Sequence, residues 1–284
     1  MKNALRQYFA LRFMYILALL CGTTLSLFSQ QAYKEEAVKD CGSVHGCVKL
    51  ACAIPKLDPL AITKNNNICG NTKLSPRLAI GKSNGVGNTI VYLESITEGK
   101  KCDHTKKARL TQARCEYNPH ILIVPPGTHL EIANNDVILH NVHAYDFLNA
   151  SRSIFNIAQP LKGQCTPVKE TQLTKVGLIE ATCDAGHPWM SAYIMVAPHP
   201  YYAVTDANGN YTLNEVPPGT YKLKMWHEGV TVMKTEMESG KVKKYFYEEP
   251  YESANEVTVS SKGDVVSNFD LKLREQSASV QASK

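Results

Sequence analysis

Several things are scarce in this 284-residue chain. After residue 30 no apolar run approaches the roughly 20 residues that a spanning helix needs, which argues against an integral membrane protein. There is no block of like charge. The formal net charge is +5, and the first 30 residues carry three Lys or Arg and no acidic residue, so the remainder stands at +2. That is too little to hold a nucleic acid or an anionic membrane surface, and no basic cluster has aromatics interleaved for base stacking. No Cys-x2-Cys pair offers a zinc clasp. No Ser-His-Asp set and no paired carboxylates stand out, so the chain is not expected to be an enzyme. Gly81-Lys82-Ser83 has the tail of a phosphate loop, but Pro76 stands where the first Gly is needed. Asp206 and Asn208 lack the spacing and final Glu of a calcium loop and read as a turn.

Residues 1–30 read as an export signal: Lys2, Arg6 and Arg12, then the apolar run of residues 13–20, then small and polar residues around Ser26 and Ser29. An uncleaved N-terminal anchor is the alternative, and a lipid-bearing Cys21 is disfavoured by the bulky Leu20 before it. Nine cysteines suit an oxidising compartment. Without Cys21 eight remain, and reserving Cys183 for a metal leaves an odd number, so one thiol stays free or Cys183 is itself paired.

Most of the chain alternates with period two. Residues 43–50 place Val44, Val48 and Leu50 on one face with His45 and Lys49 on the other. Residues 88–93, 121–124, 130–133, 137–141, 176–182 and 192–197 are further strand candidates. Residues 55–70 read as loop, residues 99–114 as a basic surface helix or loop, and residues 149–174 as a long connection. Beyond His199, alternation returns at residues 201–205 and 211–214. Tyr221, Leu223 and Met225 then alternate with Lys222 and Lys224, and Val257 to Leu273 suggest two closing strands. Val124-Pro125-Pro126-Gly127-Thr128 recurs as Val216-Pro217-Pro218-Gly219-Thr220, which is shared turn chemistry. The fold class is all-β.

Between two of these strands lies Cys183-Asp184-Ala185-Gly186-His187-Pro188-Trp189-Met190. A thiolate, an imidazole and a thioether spaced Cys-x3-His-x2-Met suit copper better than oxygen-seeking cations. One further imidazole completes a His2Cys site with an axial Met, and His140 is the candidate. On spacing alone the alternative stands equal: Cys183 in a disulfide, Met190 in the core and His187 on the surface. His143, three residues after His140, falls on the opposite strand face, His120 reads as structural, and Trp226-His227-Glu228 as packing. A binuclear copper site would need a second bridging Cys, which is absent.

The flanking residues add a resemblance. Cys115-Glu116-Tyr117-Asn118-Pro119-His120, Leu139-His140-Asn141-Val142-His143-Ala144-Tyr145, Phe155-Asn156-Ile157-Ala158, the Cys183–Met190 stretch running on through Ile194, and residues 199–206, 216–221 and 226–228 resemble a group of exported bacterial proteins. In them a plastocyanin/azurin-like cupredoxin domain is joined to a transthyretin-like domain of the carboxypeptidase-regulatory type. Some are labelled methylamine-utilisation proteins.

The resemblance implies a cupredoxin Greek-key β-sandwich plus a small transthyretin-like sandwich. The expected organisation is a signal at 1–30, a β segment at 31–112 packing on the sandwiches, a cupredoxin at 113–197, a carboxypeptidase-regulatory-like sandwich at 198–274 and a disordered tail at 275–284. It implies one copper ion in a type 1 site held by His140, Cys183, His187 and Met190, and a Cys69–Cys115 disulfide. The implied function is one-electron transfer in the periplasm or outside the cell, with a protein redox partner docking on an apolar rim of His187, Pro188 and Trp189. The alternatives are a non-redox module binding carbohydrate or protein through the second sandwich, and copper delivery or storage.

Overall fold

The computed structural model describes residues 32–275. The export signal and all but the first residue of the tail lie outside them. No helix among the described residues is long and apolar enough to cross a membrane. The architecture is all-β, with two sandwiches.

The first sandwich has a four-stranded sheet ordered Cys165–Val168, Leu130–Asn134, Ala108–Ala113, Glu116–Asn118. It faces a five-stranded sheet ordered Asn149–Gln159, His140–Asp146, Gly177–Thr182, Ser191–Val196, Ile121–Val124. Leu110, Leu130, Ile132, Val142, Ala144, Ile179, Ala181, Ala192 and Ile194 fill the space between. They are the inward members of alternating strands, as a half-buried sheet requires.

Two stretches expected to lack strands belong to these sheets. Ala108–Ala113, read as a helix or loop, is an inner strand. Its buried positions are Leu110 and Gln112. Gln112 donates to the Gln159 side chain inside the sandwich, and this polar residue at an inward position masks the alternation. Asn149–Gln159, read as connection, is an edge strand with only Phe155 and Gln159 buried, so its sequence is mostly that of a wet surface. His140 opens its strand rather than ending one.

The second sandwich combines both ends of the described chain. One sheet runs Tyr202–Val204, Ile90–Glu94, Gly219–His227, Tyr251–Val259, antiparallel throughout. The other centres on Gly42–Leu50, antiparallel to Asn210–Val216 and parallel to Asp264–Val266 and Phe269–Leu271. Residues 31–112 were expected to pack on the sandwiches as a separate segment. The register instead puts Gly42–Leu50 and Ile90–Glu94 inside the second sandwich and Ala108–Ala113 inside the first. Val44, Val48, Leu50, Val91 and Leu93 share one core with Leu213, Leu223, Met225, Val257 and Leu271. A hairpin of Val232–Glu238 and Lys241–Tyr247, which the sequence reading missed, has no strand entirely buried on either face and so carries no clear alternation.

The sandwiches meet through an aromatic joint and a buried charge cluster. Trp226 stands edge-on to Tyr193 at 5.2 Å and to Phe147 at 5.9 Å between ring centroids. Beside it the buried Arg77 guanidinium pairs with Glu228 at 2.7 Å and Glu180 at 3.3 Å, donates to Tyr193 Oη at 2.9 Å, and lies over the Tyr247 ring at 3.7 Å. His120 contacts the other oxygen of Glu228 and, through Nδ1, the carbonyl of Ser191. Burial alone would raise the Glu228 carboxyl, but attraction to His120 and Arg77 outweighs it and holds the group down to about 2.

Leu50→Ala is expected to cost about 2–5 kcal/mol, the same range as Leu223→Ala, because both empty one core. A chemical-denaturation loss for Leu50→Ala below about 0.5 kcal/mol would place the N-terminal strand outside that core. Glu228→Gln leaves Arg77 without its closest counter-charge and should cost about 3–5 kcal/mol near neutrality. A depressed carboxyl stabilises fully above its unfolded value near 4.5 and progressively less as pH falls towards 2. Melting temperatures from pH 5 to pH 2 should therefore fall less steeply in the variant than in the natural chain, and equal slopes would show that Glu228 is not held ionised.

Candidate metal centre

Gly177–Thr182 and Ser191–Val196 are antiparallel neighbours with Thr182 opposite Ser191. The eight residues Cys183–Met190 are thus the loop of one hairpin, with its ends fixed by the sheet. Asn141 holds the loop from the next strand, its Oδ1 accepting the backbone N–H of Asp184 at 2.6 Å and of Ala185 at 3.2 Å. Gly186 takes φ +87°, a conformation costly for other residues, and Lys64 crosses it to donate to the Ala185 carbonyl at 2.6 Å.

Three of the four residues singled out from the sequence converge here. His140 Nδ1 and His187 Nδ1 lie 3.0 Å apart, and Cys183 Sγ lies 3.5 Å from His187 Nδ1. The two imidazoles are fully buried and Cys183 is nearly so. Met190 sits at the far end of the same loop, also buried, and lines with Cys183 a cavity of about 600 Å³ beneath the Lys241–Tyr247 strand. His143 is turned away, towards Asp184 at 2.5 Å and Ser153 at 2.9 Å.

The outer nitrogens are already committed. His140 Nε2 meets Asp136 Oδ2 at 2.8 Å, and His187 Nε2 meets Asn65 Oδ1 at 3.0 Å. Both partners are acceptors, so each Nε2 carries the hydrogen and each Nδ1 presents a lone pair. Burial pushes His187 down to about 4 and lowers His140 against the opposing pull of Asp136, so both rings are neutral near pH 7. The Cys183 thiol, which burial pushes up, can donate its one S–H to the single lone pair of His187 Nδ1, which leaves the His140 Nδ1 lone pair without a hydrogen. A cation in place of that hydrogen would engage both nitrogens and the sulfur, and two imidazoles with a thiolate fit a borderline-soft one.

Asp136 and Asn65 were not identified from the sequence. Asp136 falls in the polar stretch Asn134-Asn135-Asp136 between two strand candidates. Its carboxylate also accepts the backbone N–H of Arg114 at 2.7 Å and of Cys115 at 2.8 Å, tying His140 to the turn before Glu116–Asn118. Asn65 lies in a stretch read as loop and reaches His187 across 122 residues, a contact without a local signal. It precedes the short helix Asn66–Cys69, and Cys69 is disulfide-bonded to Cys115. That pairing agrees with the one the resemblance implied, and Cys183 is free. Trp189 Nε1 donates to the Cys115 carbonyl at 3.0 Å.

The rim expected at His187, Pro188 and Trp189 does not form. His187 and Trp189 are buried, because the strap containing Lys64 and Asn65 lies across the loop.

Comparison with known proteins gives partial matches. A family model described as polysaccharide lyase family 4, domain II, matches residues 176–265, rather than a transthyretin-like or carboxypeptidase-regulatory model. No curated protein matches the chain. Among solved structures, a purple cupredoxin from Nitrosopumilus maritimus is 24% identical over 32% of this chain and 100% of its own, with a TM-score of 0.27. Amicyanin from Paracoccus versutus is 17% identical over 32% of this chain and 81% of its own, TM-score 0.27. A copper-containing nitrite reductase from Thermus scotoductus SA-01 is 22% identical over 32% of this chain and 22% of its own, TM-score 0.26.

Removing the strap's tether tests its role. The disulfide spans 46 residues, and replacing Cys69 and Cys115 together by Ala should cost about 2–4 kcal/mol in denaturant. Amide exchange at Lys64 to Asn66 should speed up more than in the sheets. Unchanged exchange there would show that the strap holds without its tether.

Proposed function

We propose that the chain is a cupredoxin in which His140, Cys183, His187 and Met190 would hold a single copper ion, and that it transfers single electrons. The observation that carries this reading is the pair of Nδ1 atoms 3.0 Å apart beside a free buried thiol. Copper held there would supply one-electron chemistry between Cu(I) and Cu(II). The chain's part is to keep the donors where they are in both states. Asp136 and Asn65 fix the tautomer and angle of each imidazole, and the hairpin ends fix Cys183 and Met190. With His187 under the strap, a partner protein reaches the centre from the cavity that Cys183 and Met190 line.

In this reading the protein is a carrier and not an enzyme, is exported to the periplasm or beyond, and has no nucleic-acid partner. The second sandwich, transthyretin-like in the wider resemblance, serves docking or attachment. A second reading, in which that sandwich binds carbohydrate without redox chemistry, draws on the polysaccharide-lyase description of the matching family model.

The ligands should not respond alike to substitution. Copper-loaded protein should show an intense visible band that a reductant bleaches reversibly. Cys183→Ser should abolish it, since a thiolate dominates the bonding. His140→Ala and His187→Ala should weaken copper binding and open the site to added imidazole, with the sandwich still folded. Met190→Gln should keep colour and lower the reduction potential. His143→Ala should change little. Copper and colour surviving Cys183→Ser would overturn the assignment, and a colourless protein that keeps its fold without metal and binds a polysaccharide would favour the second reading.

A further inference from the structure

A second group of possible metal donors lies outside that centre. The short strand Lys34–Glu35 pairs in parallel with Glu98–Gly99, which sets Glu35 opposite Gly99. The chain then runs through Lys100 to Cys102 and His104. Glu35 Oε1 accepts the Cys102 backbone N–H at 2.9 Å, and His104 Nε2 lies 3.9 Å from the same oxygen. A carboxylate oxygen of Glu35, the Cys102 sulfur and a ring nitrogen of His104 all lie within 4.8 Å of one another.

The segment is anchored from behind. Tyr33 Oη donates to the Lys100 carbonyl at 2.7 Å, and the Lys100 N–H donates to Tyr201 Oη at 3.0 Å. Gly99, at φ +152°, is pressed against both tyrosine hydroxyls with no room for a side chain. The backbone at Gly99 and Lys100 is therefore held against Tyr33 and Tyr201.

We propose that Glu35, Cys102 and His104 form a second metal site, for a zinc-class divalent ion, with solvent in the fourth position. Tetrahedral ligands at zinc distances lie roughly 3.3–3.8 Å apart, so closing the group needs rotations that move its atoms by about an ångström. Sulfur with imidazole and carboxylate excludes magnesium and calcium, which take oxygen alone. Cys102 is unpaired and half-buried, while Glu35 and His104 are exposed, which leaves one side for water.

Cobalt(II) is the probe, in full-length, reduced, metal-free protein. The variant with His140→Ala and Cys183→Ala lacks two of the first centre's four donors, its thiolate included. It should still bind one cobalt with a thiolate charge-transfer band, and zinc should displace it. Adding Cys102→Ala should remove the band, and His104→Ala should weaken zinc binding by at least about tenfold. In the otherwise natural chain, Cys102→Ala alone should lower the zinc stoichiometry by one, a readout that stands if the double variant does not fold. No cobalt–thiolate band in a folded double variant, a band that survives Cys102→Ala, unchanged zinc stoichiometry, or Cys102 mapped to a disulfide would each overturn the proposal.

Discussion

The Asp136 carboxylate is the constraint on which the first sandwich's business end depends. It takes hydrogens from Arg114, Cys115 and His140 at once. Arg114 and Cys115 both sit at positive φ, in a two-residue turn that would ordinarily favour Asn-Gly. Non-glycine residues there are strained, and an anion receiving both N–H groups offsets that strain. The same charge decides which nitrogen of His140 carries its hydrogen. Turn, disulfide and imidazole are thus set by one side chain, so a change at Asp136 would be felt in all three.

The joint between the sandwiches follows a similar logic with larger stakes. Arg77 is buried with two carboxylates and an aromatic face around it, and Glu228 is shared with His120. Such clusters add little net stability over apolar packing, but they are expensive to disturb. His120 also reaches the carbonyl of Ser191, the residue after Met190. The second sandwich is therefore coupled to the end of the Cys183 loop through two hydrogen-bonded steps.

What could be read from the sequence was what depends on local order. The alternation of Val44, Val48 and Leu50, or of Tyr221, Leu223 and Met225, marks strands because neighbours in sequence face opposite sides. The Cys183 loop was legible because three donors fall within eight residues. Ala108–Ala113 was missed because a buried Gln112 finds its partner in Gln159, and Asn149–Gln159 because an edge strand is wet on most positions. Asn65 gave no signal, since only folding brings it to His187. The expectation of an apolar rim failed for the same reason: a loop's exposure depends on what else crosses it.

The first sandwich is threaded through the second. The chain leaves the host sheet at Ile90–Glu94 and re-enters beside it at Tyr202–Val204, where Tyr92 and Tyr202 stack at 4.7 Å. Ribosomal synthesis makes Gly42–Leu50 and Ile90–Glu94 long before the strands that flank them. Those early strands must wait, with unpaired edges, until the inserted sandwich has emerged. Folding of the insert brings its two ends together and shortens the loop the host has to close. Maturation of the host therefore reports on completion of the guest.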